Sequence, residues 1–278
     1  MNGTFGPGRR PGPDDRMGDI ASIDGKEPTP MSAPRRSTTP GEQPTHLQVT
    51  GPVTDREATR IDRALTGVLH RHGLGDVDTR IRVTALPGPD RPVVVQAVLG
   101  PGYAIRTQIA APADFAARVA ARRLDTHLSR LSGPALRPWP DAARPPLAHT
   151  GATRPITRHK HYRLLTGSPD LAAYRMDALD YDALLFLDTD TGDDALVYRA
   201  GPHGVRLARA HHLHPPQETA VPMTMNPRPT PMFTDTEAAE RLCRYGLPLL
   251  FYTGPADARA RLLYRRYDGD LGLVTAAG

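Results

Sequence analysis

Residues 156–209 and 223–276 of this chain read as two versions of one sequence, and a duplicated unit constrains the fold more than any single motif. Leu184-Leu185-Phe186 matches Leu249-Leu250-Phe251 at an offset of 65, and one residue of slippage in the next turn aligns Val197-Tyr198-Arg199 with Leu263-Tyr264-Arg265. The helices ahead of them correspond too, Pro169–Leu179 with Thr234–Arg244. Each copy reads as a strand, a helix and a β-meander, spanning 154–210 and 223–278, with a His- and Pro-rich spacer over 211–222. A unit of roughly 55 residues is marginal as an independent core, so it needs a cover for its apolar sheet face. A tandem copy can be that cover. Leu184, Phe186, Val197 and Tyr198 of the first copy, with Leu249, Phe251, Leu263 and Tyr264 of the second, form the expected pairing surface of an intramolecular pseudo-dimer.

Ahead of the repeats, residues 46–131 read as one β-α-β-β-β-α unit. Leu47, Val49 and Val53 mark a first strand, and Thr54 with Glu57 three residues on forms a capping-box pattern before a helix whose apolar face is Ala58, Ile61, Leu65 and Val68. Three strands follow, around Ile81–Ala85, Val93–Leu99 and Tyr103–Ile109, separated by turns at Pro87–Asp90 and Gly100–Gly102. A last helix from about Ala113 to Leu131 turns Ala120, Leu124, Leu128 and Leu131 inward. The order implies an α+β fold with two helices on one face of a four-stranded sheet. Residues 1–45 hold few large apolar side chains and read as a disordered arm. Residues 132–153 read as a stiff Pro-rich linker, in which the lone Trp139 is expected to anchor onto its own domain or a partner.

Charge narrows the partners. The formal balance is +5, and lysine occurs only at Lys26 and Lys160, so the positive charge is nearly all arginine. Guanidinium forks suit phosphate and stack on bases, which fits RNA. Arg56, Arg60 and Arg63 fall at i, i+4 and i+7 of the first helix, and Arg71 continues the stripe. On the last helix Arg118, Arg122, Arg123, His127 and Arg130 lie on the side away from Leu124, Leu128 and Leu131. Together they are the candidate RNA-binding residues. By themselves these stripes fit a solvated helix surface at least as well, because Asp55, Glu57 and Asp62 dilute the first helix.

Other chemistry is poorly supported. The single Cys243 excludes an intrachain disulfide and a Cys-based zinc site. No apolar run is long enough to span a membrane and the N-terminus lacks a secretory apolar core, so the expected location is the cytoplasm. Asp188–Asp194 resembles a calcium loop, but its glycine comes one position early and no bidentate Glu follows. His159/His161 and His211/His212/His214 lack the carboxylates of a metal site. No phosphate-binding loop or nucleophile motif is present, so neither an enzyme nor a cofactor is expected.

A family resemblance rests on particular stretches. Ile156-Thr157-Arg158-His159-Lys160-His161-Tyr162 resembles the Ile-Val-Arg-x-Lys-x-Phe opening of the C-terminal domain in long-form ribosome hibernation promoting factors. Met176–Tyr198 resembles the helix and hairpin of that domain, with Thr191-Gly192 at the turn. Tyr264-Arg265-Arg266-Tyr267-Asp268-Gly269-Asp270-Leu271-Gly272-Leu273 resembles its ending, and Arg123-Leu124-Asp125 resembles the Lys-Leu-Glu signature of the N-terminal domain. The resemblance implies an N-terminal domain lodged in the small subunit near the decoding centre, contacting ribosomal RNA and proteins, and blocking mRNA and tRNA on the whole ribosome. Typical long forms carry one C-terminal domain that pairs between molecules and joins two ribosomes. Here both copies share a chain, as suits the dormancy-associated factors of mycobacteria and related actinobacteria, and the expectation is that ribosomes are silenced singly. The second copy keeps the ending but lacks the Arg-x-Lys opening, and the first does the reverse. The alternatives are a ribosome- or RNA-associated regulator or protein scaffold without hibernation, and a metal-dependent RNA-processing enzyme using the histidines.

Overall fold

The computed structural model describes residues 45–86, 92–100, 105–133, 135–141, 152–216 and 218–277. All of the expected N-terminal arm except Thr45 lies outside the described residues, as do the Pro87–Asp90 turn, Pro101 and Gly102, and most of the second half of the linker.

The N-terminal unit has the expected order. Strand β1 (Thr45–Thr50) runs parallel to β2 (Thr79–Ala85), and β3 (Pro92–Leu99) and β4 (Ile105–Pro112) follow antiparallel in the sheet order β1-β2-β3-β4. Helix α1 (Asp55–Arg71) joins β1 to β2, and α2 (Ala113–Leu131) follows β4. Helix α1 starts where local chemistry says it must. The Glu57 backbone N–H donates to Thr54 Oγ1 at 3.2 Å and the Thr54 N–H donates to Glu57 Oε2 at 2.8 Å, a closed capping box. Ile61, Leu65 and Val68 of α1 and Leu124 and Leu128 of α2 then bury against Ile81, Val83, Val95 and Ile109 in one core. Both helices thus cover one sheet face, and the other carries a polar row with Arg82, Gln96 and Gln108 in register.

The repeats are assembled differently from two beads on a string. Repeat 1 supplies β6 (Leu165–Gly167), α3 (Pro169–Ala178), β7 (Ala183–Asp188), β8 (Asp194–Tyr198) and β9 (Arg206–Arg209). Repeat 2 supplies α4 (Asp235–Arg244), β11 (Leu249–Thr253), β12 (Ala260–Arg265) and β13 (Leu271–Ala276). The opening strand of each repeat joins the sheet of the other. Strand β5 (Ile156–Tyr162) lies parallel to β13 in the order β11-β12-β13-β5, and β10 (Thr224–Met225) lies parallel to β9 in the order β10-β9-β8-β7-β6. Neither sheet is complete without a strand from the other copy. The exchange also places the family-like opening, Ile156–Tyr162, beside the family-like ending of repeat 2.

The strand pairing corrects the repeat alignment. Leu184 pairs with Val197 and Leu250 pairs with Leu263, so the copies correspond at an offset of 66, without slippage in the turn. The parallel bridge of Met232 to Thr253 repeats that of Thr166 to Leu187 at the same offset of 66. Leu249 and Phe251 are therefore the equivalents of Ala183 and Leu185. Alternate strand residues face opposite sides, so a slip of one exchanges the faces.

The expected pairing surface divides accordingly. Tyr198, Leu249, Phe251 and Tyr264 do lie in the apolar layer between the two sheets, with Leu185, Leu196, Leu262 and Val274. Leu184, Phe186 and Val197 do not: they pack under α3 in the core of repeat 1, and Leu263 packs under α4 in that of repeat 2. Across the layer Arg259 grips the Asp194 carboxylate with Nε at 2.7 Å and Nη2 at 3.0 Å, and the Ala260 N–H donates to it at 3.0 Å. No helix among the described residues is long and apolar enough to cross a membrane.

Candidate nucleic-acid interface

Helices α1 and α2 lie side by side and turn outward a surface on which Arg56, Arg60, Arg63, Arg71, Arg118 and Arg122 are all exposed. Two of the six are tied. Arg60 Nη2 donates to the carbonyls of Ala113 at 3.2 Å and Asp114 at 3.0 Å, bracing the first turn of α2. Arg71 reaches Asp125 at 3.3 Å, where His72 Nε2 also lies at 3.1 Å, and the His72 hydrogen bond is the largest influence holding the Asp125 carboxyl below its ordinary value. Among the described residues Arg56, Arg63, Arg118 and Arg122 form no ion pair. Arg118 stacks its guanidinium 5.2 Å from the ring centre of Phe115, which is 49% exposed. An exposed ring with an arginine plane beside it is a platform for an unstacked base. The spacing of Phe115, three residues from Arg118 on the helix, is the sequence signal that pairs them.

The rest of the α2 stripe is corrected by the structure. Arg123, His127 and Arg130 do not face outward, because repeat 1 is seated on them. Asp180, whose side chain is fully buried, accepts from Arg123 Nε at 3.3 Å and from the Gln108 backbone N–H on β4 at 3.1 Å. Asp177 takes Arg130 and Arg199, and accepts from the Arg137 N–H at 3.0 Å. Arg137 continues to Asp141 at 2.9 Å and Asp182 at 2.5 Å. Asp180 holds a left-handed backbone with φ 52° just past α3, a conformation that short polar side chains tolerate, and this turns its carboxylate toward α2. Buried charges of one sign need partners of the other, so this alternation of arginines and aspartates docks repeat 1 on α2 and β4.

His127 is part of the same seat. Its Nε2 lies 3.1 Å from the Ala178 carbonyl and its Nδ1 lies 2.6 Å from Arg130 Nη2. The neutral ring protonated on Nε2 satisfies both contacts, and burial is the main cause that holds the imidazole pKa below its ordinary value. The first part of the linker belongs here as well. Leu136 packs into the core of repeat 1, Arg137 is buried, and the Cβ of Trp139 stands 3.1 Å from where a side chain on Gly204 would begin. Gly204 has φ +77°, so only glycine gives Trp139 this approach without strain.

Of the residues set aside as metal candidates, Asp188 holds an arginine and Asp193 holds His211 and His212. Asp188 is buried against Arg209 Nε at 2.7 Å, and Asp193 receives the backbone N–H groups of His211 and His212 at 3.1 and 2.8 Å. Gly192, φ +73°, forms the hairpin turn between β7 and β8.

Comparison with known proteins bears on this surface and on the repeats. Residues 152–207, which take in the first copy as far as β9, match the family described as Sigma 54 modulation/S30EA ribosomal protein C terminus. Two relatives, each named Dormancy associated translation inhibitor, come from Mycobacterium tuberculosis strains CDC 1551/Oshkosh and ATCC 25618/H37Rv. Each is 43% identical over 232 residues, which is 80% of this chain and 84% of the relative.

Proposed function

Because this chain belongs to the long-form ribosome hibernation promoting factor family, we infer that it inhibits translation from the small ribosomal subunit, near the decoding centre, by excluding mRNA and tRNA. The observation that carries the finer reading is the outer face of α1 and α2. There Arg56, Arg63, Arg118 and Arg122 stand without carboxylate partners among the described residues, beside the exposed ring of Phe115. Four free guanidinium groups on a rigid helix pair can neutralise several phosphates, and the aromatic ring offers a base a stacking surface. Inhibition by occlusion needs no covalent step, so the reading asks for position and charge and for no catalytic group.

The repeats support the second part of the proposal. The module that joins two molecules in typical long forms here meets its own duplicate through exchanged strands and the Arg259–Asp194 pair. With that surface occupied inside one chain, the protein silences ribosomes singly. Co-sedimentation with ribosomal subunits over a salt series tests both parts. Binding should weaken steeply with salt, with a slope reflecting about four phosphate contacts, and should be lost when Arg56, Arg63, Arg118 and Arg122 are changed to Glu. Salt-independent binding, or binding kept by the Glu variant, would falsify the RNA-face assignment. Ribosome dimers bridged by the protein would defeat the claim about single ribosomes.

A further inference from the structure

The exchanged strand β5 carries a cation into a place where three parts of the chain meet. Alternation along β5 puts Arg158 and Lys160 on one face, toward repeat 1 and the N-terminal sheet. In register with Arg158 is Gly272, and a Cβ there would fall 2.4 Å from the ring of Tyr264. The missing side chain is what lets that ring lie flat across β13. Lys160 Nζ sits 5.3 Å from the centre of the Tyr264 ring and 5.9 Å from that of Tyr181 in repeat 1. Arg106 of β4 in the N-terminal unit approaches the same Tyr181 ring, its Cζ at 4.9 Å.

This neighbourhood is short of negative charge. Lys160 is largely buried, and the charges that act on it are those of Arg158, Arg106 and Arg266, all positive. Burial first, and then these guanidinium groups, press its ammonium down to about 7. Among the described residues neither Lys160 nor Arg158 has a carboxylate partner. Arg123, Arg130, Arg137 and Arg209, by contrast, are each answered by an aspartate. Lys160 and Arg106 lie over aromatic faces, and Arg106 also donates to the Leu179 carbonyl and to Gln108 Oε1, both uncharged. Among the described residues only Arg266 of the four cations is balanced by a carboxylate, that of Asp268, which leaves an unanswered positive potential.

We propose that this junction binds a phosphate group, carried by a nucleotide or by an RNA backbone, between Lys160, Arg158 and Arg106. A phosphate brings the multiple negative charge that the cluster lacks, guanidinium forks match its oxygens, and the tyrosine faces suit an attached base. The site lies on the sheet side of the N-terminal unit, away from the outer face of α1 and α2, so it stands or falls independently of ribosome binding through that face.

Titration calorimetry on the full chain at low salt tests it, with inorganic pyrophosphate, ATP and a short unstructured RNA as probes. The RNA arm is run in the variant with Arg56, Arg63, Arg118 and Arg122 changed to Glu, so that the helix face cannot supply the binding. Pyrophosphate should bind, with affinity on the order of tenfold weaker in Lys160→Met and in Arg158→Gln. Arg158 is exposed and its replacement leaves the Lys160 seat intact, which guards against simple misfolding. Tighter binding of ATP than of pyrophosphate would identify a nucleotide site, and tighter binding of RNA a backbone site. Absence of binding by all three probes, or affinities unchanged in both variants, would overturn the proposal.

Discussion

Arg199 and Arg265 stand at equivalent positions just past the tyrosines of β8 and at the end of β12. Arg199 has the Asp177 carboxylate and the Arg137 carbonyl, the latter at 3.2 Å. Arg265 is 3% exposed, and all three of its guanidinium nitrogens are buried without a hydrogen-bond partner among the described residues. At the offset of 66 the place of Asp177 is taken by Cys243. An unanswered buried charge weakens the fold, so Arg265→Met is expected to stabilise the protein by on the order of 1 kcal/mol in urea denaturation, and Cys243→Asp to do likewise. A lower midpoint for Arg265→Met would show that the guanidinium is satisfied in solution. His127 gives a second expectation at this scale. Its pKa in the folded protein lies below the ordinary 6.5, so the unfolded chain binds the proton more readily. The stabilisation is complete above 6.5 and declines as the pH falls below it. Tm measured against pH should show that decline in the native chain and less of it in His127→Gln, which can still donate to Ala178; identical profiles would remove His127 as its source.

At the scale of elements, what could be read from sequence and what could not divides by distance along the chain. The α1 capping box was visible because it is complete within Thr54–Glu57, and the order of the N-terminal strands followed from alternation and turns. The faces of the repeat strands were misassigned by one residue, since a single misplaced match in Leu249-Leu250-Phe251 inverts inside and outside for the strand. The strand exchange left no local mark, because β5 alone does not reveal which of two similar sheets it will join. Burial of Arg123, His127 and Arg130 was hidden for a related reason: their partners Asp180, Ala178 and Asp177 come some fifty residues later, at separations of 47 to 57. The corrected faces carry their own prediction. Leu185 and Leu196 lie in the layer between the sheets and are fully buried, so Leu185→Ala should cost roughly 2–5 kcal/mol and lower the stability of both repeats together. Hydrogen exchange that speeds up in repeat 1 alone would argue that the layer does not couple them.

At the scale of the whole molecule, the N-terminal unit docks on one repeat because only one repeat carries its counter-charges. The seat on repeat 1 is Asp177, Asp180 and Asp182; at the offset of 66 the corresponding residues of repeat 2 are Cys243, Gly246 and Pro248. The arginine-rich side of α2 therefore finds its counter-charges on repeat 1 and not at the equivalent positions of repeat 2. Removing one partner from such a buried network leaves the others unanswered. Asp180→Ala should detach the N-terminal unit, seen as a larger radius of gyration in solution scattering and as a separate unfolding step, with the repeat pair intact. An unchanged radius would mean that Arg130–Asp177 and Arg137–Asp182 suffice to hold it. The exchanged strands bear also on the order in which this protein can fold as it is made. Strand β5 leaves the synthesising ribosome long before β13, the strand it pairs with, and in the interval it has no native neighbour. The N-terminal unit can close early, while the C-terminal pair waits for its final strand. A chain broken off before Leu271 would carry a folded N-terminal unit on an unfinished body, with β5 still without the strand it pairs with.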